Sequence, residues 1–106
     1  MTGKAVIRRA KANADIQDAV DYYLHEAGQQ VALAFVDALE QTLLHISAHP
    51  ASGSPRYASE LALPGLRCFP IKDYPYLVFY IELDARIDVW RLLHEQRDIP
   101  AWLRDG

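Results

Sequence analysis

Two long stretches in the first half of the chain repeat apolar residues at the spacing of α-helices. Apolar positions recur every three or four residues over 16–27 and again over 32–46, so each stretch is predicted to form a helix that buries one face. Asn13 is the expected N-cap of the first helix, Gly28 is its expected C-cap, and Pro50 ends the second. Because the break between the stretches is short, the helices are expected to fold back on each other as an antiparallel hairpin.

Four shorter segments have the composition of β-strands, since they are rich in β-branched and aromatic residues and end at turn-forming ones. They cover residues 4–10, 66–71, 76–83 and 87–93. The last three follow each other through short turns, which predicts an antiparallel meander. Residues 50–56, between the helices and these strands, have the composition of a loop.

The chain closes with a short segment that is predicted to be a helix. Asp98 is a suitable N-cap, Pro100 fits the first turn, and Trp102 and Leu103 are the expected docking residues. The element order is therefore β-α-α-β-β-β, which predicts an α+β fold with an antiparallel sheet packed against the N-terminal helical hairpin. No repeat or composition shift divides the chain, and we expect a single domain over residues 1–106.

Both faces of the predicted sheet are apolar. In the strand over residues 76–83 the odd positions, beginning with Leu77 and Phe79, are the expected core face beneath the hairpin. The other face is lined by Tyr76, Val78, Tyr80, Trp90 and Leu92. Contiguous apolar surface usually marks a partner site, so we favour a groove for a protein partner on this face. The alternative is that the terminal helix and the loop over residues 50–65 fold over it.

The composition is that of a soluble globular protein, with 51% hydrophobic and 24% charged residues among 106. No strongly apolar run approaches the roughly 20 residues of a membrane-spanning helix, and the charged N-terminus leaves no signal-peptide core. The single cysteine, Cys68, excludes an internal disulfide. We therefore expect a cytoplasmic protein without a membrane partner.

The charge distribution argues against a protein whose main task is to grip nucleic acid. The formal net charge is −3. Residues 1–11 carry four basic groups and no acid, whereas residues 12–49 carry six acidic groups and neither Lys nor Arg. Nucleic-acid binders usually have a basic excess, because neutralising phosphates supplies most of their non-specific affinity. We expect no direct sequence-specific binding of nucleic acid.

The sequence contains few patterns that indicate metal or cofactor chemistry. His45 and His49 stand four residues apart on the second predicted helix, but no third ligand accompanies them, so no metal site is expected. No phosphate-binding loop or other cofactor motif is present, and we expect no cofactor. Cys68, inside a predicted strand beside Phe69, is interpreted as a small buried apolar residue.

The densest polar cluster runs from His94 to Asp98, where the last strand ends. A histidine and Arg97 at such a position suit general acid–base work and phosphate binding. The alternative interpretation is structural: Asp98 caps the terminal helix, and Arg97 is its ion-pair neighbour at the surface.

Four segments of the chain form a recognisable combination. They are Ala14-Asp15-Ile16, His49-Pro50 followed by Gly53, Pro64-Gly65-Leu66-Arg67 through Tyr76-Leu77-Val78-Phe79-Tyr80, and Val89-Trp90-Arg91-Leu92-Leu93-His94-Glu95-Gln96-Arg97-Asp98-Ile99-Pro100. In order and spacing they resemble the ParE branch of the RelE/ParE toxins of bacterial type II toxin–antitoxin modules. The resemblance spans nearly the whole chain, and its closing Arg-x-Leu-His-x-x-Arg-Asp-x-Pro pattern is the most specific part.

The resemblance implies a small toxin that a cognate antitoxin holds inactive by wrapping its C-terminal segment around it, in a toxin–antitoxin hetero-oligomer. ParE-like toxins inhibit DNA gyrase by stalling it with cleaved DNA, which blocks replication and supports plasmid maintenance. They have no established catalytic residues, so the resemblance implies a binding inhibitor rather than an enzyme. The apolar sheet face would then be the antitoxin groove, filled by strand addition or by a helix.

The RelE branch is the alternative, since it cuts mRNA on the ribosome as an endoribonuclease. It uses clustered cations with a C-terminal aromatic residue or histidine, because the transition state carries extra negative charge. The position of one catalytic Arg of that branch falls here at Pro75 or Tyr76. His94, Arg97 and Trp102 stand near its remaining positions and are the candidate catalytic residues in this case. The set is incomplete and the helices are acidic, so we favour gyrase inhibition.

Two surfaces are thus predicted. The target-facing end is expected to carry Arg67, Arg91, His94, Arg97 and Trp102. The antitoxin groove is expected to be formed by Tyr76, Val78, Tyr80, Trp90 and Leu92. Strand parity places Arg91 opposite His94 unless a β-bulge intervenes.

Overall fold

The computed structural model describes residues 3–104 and has the predicted α+β architecture. In chain order its elements are β1 (Ala5–Arg8), α1 (Ala10–Glu26), α2 (Gln29–Ala48), a 3₁₀ turn (Pro50–Ser52), α3 (Arg56–Glu60), β2 (Leu66–Pro70), β3 (Tyr76–Glu82), β4 (Arg86–His94) and α4 (Ile99–Arg104). The fold class, the helical hairpin, the three-strand meander and the terminal helix are confirmed. The 3₁₀ turn and α3 lie in the region between α2 and β2, where no helix was predicted.

The four strands form one mixed sheet in the order β1-β4-β3-β2. β2, β3 and β4 are antiparallel as predicted, whereas β1 pairs in parallel with β4. Phe79 pairs with Arg91 while the next residue, Tyr80, pairs with Val89, so Trp90 is an extra residue in β4. This β-bulge precedes Arg91 and shifts the alternation of side chains for the end of β4, where Leu92 packs in the same cluster as Val89, and Leu93 in the same cluster as Phe79. It does not lie between Arg91 and His94, so these two residues keep the opposite parity that was predicted.

The first helix begins earlier than its sequence indicates. α1 starts at Ala10, with Arg9 as its extended N-cap residue, and Asn13 lies inside the helix rather than at its cap. β1 leads directly into α1 with no loop between them. Arg9, the N-cap residue, is still hydrogen-bonded to β4, since its N–H donates to the carbonyl of Val89 at 3.0 Å. Gly28 follows Ala27, the C-cap, and its φ of 96° lies in the left-handed region that favours glycine.

The inner face of the sheet, defined here as the face against α1 and α2, carries the larger core. Phe35, Leu39 and Ile46 of α2 pack with strand residues whose side chains are almost fully buried; the strand residues are Val78, Tyr80, Ile87, Val89 and Leu92. The even positions of β3 therefore face the hairpin, opposite to the prediction. Both faces of β3 are apolar, so alternation alone does not decide which one the helices cover.

This packing corrects the predicted antitoxin groove. Val78, Tyr80 and Leu92 are buried core residues and do not line an open surface. Tyr76 and Trp90 are half-buried, and they lie apart, with Tyr76 at the start of β3 and Trp90 in the β4 bulge. The five residues therefore form no continuous groove.

The outer face of the sheet is covered by the chain itself. Leu77, Phe79 and Leu93 pack with Ile99 and Leu103 of α4, and the segment that contains α3 supplies the rest of the cover: Tyr57, Ala58, Leu61 and Leu63. The alternative considered for the second face, cover by the terminal helix and the loop after α2, is thus the arrangement adopted. Cys68 lies in the same core, and its burial raises the pKa of the thiol.

One tyrosine fixes the turn that follows α2. The hydroxyl of Tyr80 donates to the carbonyl of Pro50 at 2.7 Å and accepts the N–H of Gly53 at 3.0 Å. A Cβ at position 53 would collide with this hydroxyl, so the close approach requires glycine. Arg67 ties down the same turn by donating to the carbonyls of Ala51 and Gly53 at 3.2 and 2.8 Å. The Pro50-to-Gly53 motif is therefore explained by packing.

By length and composition, α2 is long and apolar enough to cross a membrane, with a mean hydropathy of 1.3 over its most apolar window. No apolar run of that kind was expected from the sequence. Its apolar stripe instead packs on the inner face of the sheet, while Leu33 and Leu44 remain exposed on its other sides.

Candidate functional site

A cleft of about 460 Å³ opens where α1, the paired ends of β3 and β4, and α4 meet. Its lining combines aromatic side chains with charges of both signs. The lining residues are Asp15, Asp18, Ala19, Tyr22, Tyr23, Pro75, Tyr76, Leu92, Leu93, His94, Arg97 and Trp102. The cleft thus joins three segments that are distant in sequence.

Tyr76 and His94 form the floor of the cleft. They are register partners on β3 and β4, and their rings meet edge to face with centroids 5.3 Å apart. His94 Nδ1 accepts the N–H of Gln96 at 3.1 Å, so the neutral ring carries its proton on Nε2. Burial raises the pKa of Tyr76, with the nearby Tyr22 adding to the effect and Arg97 opposing it. The Tyr76 phenol therefore stays protonated at neutral pH and is able to donate a hydrogen bond.

Arg97 and Trp102 form the exposed rim of the cleft. The guanidinium of Arg97 lies 4.5 Å from the centroid of the Trp102 ring, a cation–π contact across the first turn of α4. Asp98 accepts the N–H of Ala101 through its side chain at 3.4 Å and caps α4 as predicted. The structural interpretation is therefore confirmed for Asp98, whereas Arg97 stacks on an aromatic ring at the cleft. Acid–base work and phosphate binding by this cluster stay predictions.

Arg91 is buried beside the cleft rather than exposed in it. Its Nε and Nη2 donate to the two carboxylate oxygens of Asp15 at 2.7 and 2.9 Å, and its Nη1 donates to the carbonyl of Trp102 at 3.0 Å. The Asp15 carboxylate also accepts the N–H of Leu92 at 3.0 Å. Arg91 therefore joins α1, β4 and α4, and only 7% of its side chain is exposed.

The structure brings together part of the predicted target-facing set. His94, Arg97 and Trp102 line one cleft, and Tyr76, which was assigned to the antitoxin groove, joins them. Arg67 lies elsewhere, because it pairs with Tyr80, four residues further along β3 than Tyr76, and holds the turn after α2. Because it hydrogen-bonds these carbonyls, Arg67 has a structural role.

Sequence reasoning missed the contribution of α1 to the cleft. Asp15, Asp18 and Tyr22 line it together with Ala19, and their spacing of three, four and seven residues is that of one helix face. The signal was present in the sequence, but acidic residues near a helix N-terminus also have a purely electrostatic explanation. Only the packing of α1 beside β4 turns this face towards Tyr76 and Trp102.

A second concave surface lies along the β1 edge of the sheet, between β1 and α2. It has a volume of about 530 Å³ and is lined by Lys4, Val6, Arg8, Glu40, Gln41, Leu43, Leu44 and Ser47. β1 is an edge strand, and alternate residues of a strand turn their N–H groups to opposite sides. Since the N–H of Arg9 donates to β4, those of Val6 and Arg8 face away from the sheet.

The other edge of the sheet is already occupied. Ser54 exchanges two backbone hydrogen bonds with Cys68 of β2, at 2.8 and 2.9 Å. The groove beside β1 is therefore the surface where a further strand has room to pair. We call it the β1–α2 groove.

The histidine pair and the other titratable groups offer little for metal chemistry. His45 and His49 stack with centroids 5.1 Å apart at the end of α2 and are exposed. Among residues 3–104, no group of three or more His, Cys, Asp or Glu side chains is placed to hold a metal ion.

The comparison with protein families shows the class of protein, the small toxins of type II toxin–antitoxin systems. The family model described as "ParE toxin of type II toxin-antitoxin system, parDE" matches residues 6–99. The chain therefore belongs to the ParE toxin family.

A solved structure titled "Chromosomal ParDE TA system from P. aeruginosa" has the same fold. It aligns with a TM-score of 0.73 at 19% sequence identity, covering 86% of this chain and 95% of that one. At this identity the likeness is one of fold. No curated protein matches the sequence significantly.

Proposed function

We propose that this ParE-family toxin inhibits DNA gyrase by binding it through the cleft between α1, β4 and α4. The observation that carries the proposal is the meeting of Arg97, Trp102, His94 and Tyr76 at one open cleft. Tryptophan, tyrosine and arginine are the residue types that dominate protein–protein binding energy. A toxin that inhibits by binding an enzyme needs a cluster of such residues as an anchor. It does not need a catalytic group of its own.

The charges of the cleft favour a protein target over an RNA substrate. Asp15 and Asp18 line it, and Arg91, the second guanidinium in this region, is already paired with Asp15. Stabilising the transition state of RNA cleavage needs several uncompensated cations near the scissile phosphate. Arg97 is the one Arg or Lys side chain among the residues that line the described cleft.

The endoribonuclease alternative retains one point in its favour. His94, Arg97 and Trp102, the three residues proposed for that chemistry, do line the same cleft. His94 in its neutral form offers an N–H, and Tyr76 adds a second proton donor. Cleavage of mRNA on ribosomes by the purified toxin is therefore the outcome that would replace gyrase inhibition as the proposed function.

A supercoiling assay with the purified, antitoxin-free toxin tests the proposal. We expect a dose-dependent loss of supercoiling with linear cleaved DNA, and an Arg97→Ala toxin that needs about tenfold more protein for the same effect, since a truncated anchor costs about 1.4 kcal/mol or more.

Arg56→Ala is the matched control for this variant. Arg56 is also an exposed arginine stacked on an aromatic ring, at 4.8 Å from the Tyr57 centroid, but it lies on α3 away from the cleft. We expect it to inhibit like the unmodified toxin. Folded toxin that leaves supercoiling unchanged would overturn the gyrase proposal.

We further propose that a cognate antitoxin binds in the β1–α2 groove, in place of the sheet face assigned from the sequence. The support is the N–H groups of Val6 and Arg8, which face away from the sheet, the exposed Leu44 beside them, and the basic residues Lys4 and Arg8 along the groove. At Lys4 the backbone is already hydrogen-bonded to Ser47 of α2. These features suit an extended segment that alternates apolar and acidic side chains and adds to the sheet. The toxin and its antitoxin would form this complex in the cytoplasm, and the toxin–antitoxin module would serve plasmid maintenance.

Two exposed leucines of α2 allow a test of whether the antitoxin binds in this groove or elsewhere on the helix. Leu44 lines the groove and Leu33 does not, yet they are similarly exposed, at 63% and 60%. We expect Leu44→Asp to weaken antitoxin binding about thirtyfold, the equivalent of about 2 kcal/mol for a buried anchor. Leu33→Asp should leave the dissociation constant unchanged. Equal effects from both variants would exclude the groove.

A further inference from the structure

We propose that Asp15 and Arg91 are positioning residues that hold the Arg97–Trp102 stack in place at the cleft. The consequence for target inhibition rests on the function proposed above, whereas the geometry stands by itself. Arg91 uses all three of its nitrogens. Two bind Asp15, and the third, Nη1, donates to the carbonyl of Trp102.

The bond to Trp102 fixes the orientation of a very short helix. α4 has six residues, with Ile99 and Leu103 as its buried apolar contacts. Two side chains on one face allow a short helix to rock about its own axis, and the last carbonyls of a helix have no partner inside it. The Arg91 guanidinium satisfies one of these carbonyls and lies 5.4 Å from the Trp102 ring centroid. It therefore contacts both the backbone and the ring of the residue on which Arg97 stacks.

Asp15 in turn fixes Arg91. β1 pairs with β4 only as far as Val89, so the edge of β4 beyond this point has no neighbouring strand. The Asp15 carboxylate takes that place, since it accepts the N–H of Leu92 at 3.0 Å as well as both bonds from Arg91. A bidentate carboxylate–guanidinium pair is geometrically specific as well as strong. The side chains of Arg91 and Asp15 are 7% and 12% exposed, which protects the pair from solvent screening.

β4, the strand of Arg91, also contains Asp88, a carboxylate that pairs with arginine but does not line the cleft. Asp88 is also buried, at 8% side-chain exposure, and it pairs with Arg86 at 2.8 Å and Arg9 at 3.4 Å. It lies where β4 pairs with β1. Asp15→Asn and Asp88→Asn therefore each remove the charge of a mostly buried carboxylate that is paired with arginine, and only the first of these arginines donates to Trp102.

The test follows Trp102 directly. In a Trp90→Phe background Trp102 is the only tryptophan of the chain, and this replacement breaks no hydrogen bond, because Trp90 Nε1 has no partner in the described part of the structure. Acrylamide quenching of Trp102 fluorescence is measured under conditions in which every variant is folded by circular dichroism. We expect Asp15→Asn to increase the quenching constant clearly and Asp88→Asn to leave it unchanged.

Gyrase inhibition supplies the second measurement. We expect Asp15→Asn to weaken inhibition about tenfold, which corresponds to about 1.4 kcal/mol of target binding, because the Arg97–Trp102 stack is no longer held in place, and Asp88→Asn to inhibit like the background protein. If Asp15→Asn does not fold, Arg91→Lys replaces it, because lysine keeps the charge but lacks the fork that reaches Asp15 and Trp102 together.

The two readouts separate the possible failures. Unchanged quenching in both the Asp15 and the Arg91 variants would overturn the positioning role, whatever the effect on stability. If the unmodified toxin does not inhibit gyrase, the proposed function fails while quenching still decides whether the pair holds Trp102. Increased quenching with full inhibition would show that the stack is held by Asp15 and Arg91 but is not used against the target, which overturns the functional part.

Discussion

Both faces of β3 are apolar, yet the chain covers them by different means. The inner face lies against α1 and α2, helices of 17 and 20 residues, whereas the outer face is covered by α3 and α4, with 5 and 6 residues. Tyr80 on the inner face and Phe79 on the outer face are both 0% exposed. An apolar strand face therefore does not by itself indicate a binding site. The cleft opens where α1, one of the long helices on the inner face, meets α4, one of the short helices on the outer face.

The largest effect is expected from the inner core. Phe35 is fully buried, and its ring packs against Tyr23 and Tyr74 with centroids 5.2 Å away in each case. Phe35→Ala should lower the free energy of unfolding by about 3–5 kcal/mol, through lost burial and the cavity left behind. Urea denaturation followed by circular dichroism measures this loss. A loss below about 1 kcal/mol would mean that the hairpin is not the main stabilising cover.

The outer core should respond less, because Leu103 lies on α4, a helix of only six residues that is expected to relax around a cavity. Leu103→Ala is expected to cost about 2 kcal/mol, near the lower end for a buried leucine. We expect the effect to be largely local, with faster amide exchange in α4 while the inner core stays protected. Hydrogen exchange measured by NMR distinguishes the two covers. Uniform loss of protection across the sheet would show that the faces unfold as one unit.

A smaller effect should come from the hydroxyl that connects the inner face to the turn after α2. Tyr80→Phe keeps the ring but removes both hydrogen bonds, to Pro50 and from Gly53. The buried N–H of Gly53 then loses its partner, which costs about 1–3 kcal/mol. Denaturant unfolding gives the size of the loss, and amide exchange at Gly53 should accelerate. Arg67→Lys removes the hydrogen bonds that Arg67 donates from β2 to the carbonyls of Ala51 and Gly53 in the same turn. Comparing the two variants shows how much of the loss comes from the Tyr80 hydroxyl.

The smallest effect concerns Asp88, which lies where β4 pairs with β1. The hydrogen bond from Arg86, aided by Arg9, holds the pKa of Asp88 below its ordinary value. A carboxyl with a lowered folded pKa stabilises the fold above its unfolded pKa of about 3.9, and this contribution disappears as the pH falls through the folded value.

The stability difference between the unmodified protein and Asp88→Asn should therefore be constant near neutral pH and shrink below about pH 4. Thermal unfolding over a pH series measures it. A difference that does not change with pH would show that the pair with Arg86 contributes no charge-dependent stability.

The sequence was sufficient for those parts of the fold that depend on local pattern. Helical periodicity located α1 and α2, and turn residues delimited β2, β3 and β4 to within about a residue. The start of α1 was misplaced, because Asn13 has the chemistry of a cap but β1 runs straight into the helix at Ala10. Leu24 lies within the periodic apolar stretch over residues 16–27 that predicted α1, yet it is exposed. Local pattern does not report how a neighbouring strand orients the chain.

The candidate site was predictable in one part and not in another. His94, Arg97 and Trp102 belong to one continuous segment, so their proximity follows from the chain itself. Asp15, which lines the same cleft, pairs with Arg91 from 76 residues away along the chain, and no local pattern predicts this pair. Long-range ion pairs depend on which elements pack side by side, which here is set by the parallel pairing of β1 with β4.

The sequence by itself determined the class of fold, the order of its elements, the family and the segment that carries Arg97 and Trp102. Each of these depends on residue type and on spacing along the chain, which the sequence contains in full. The tertiary structure alone decided which sheet face the hairpin covers, that α3 and α4 close the other, and that Arg91 is buried against Asp15. These depend on how the other elements pack against the two apolar faces of β3 and on one extra residue, Trp90, in β4.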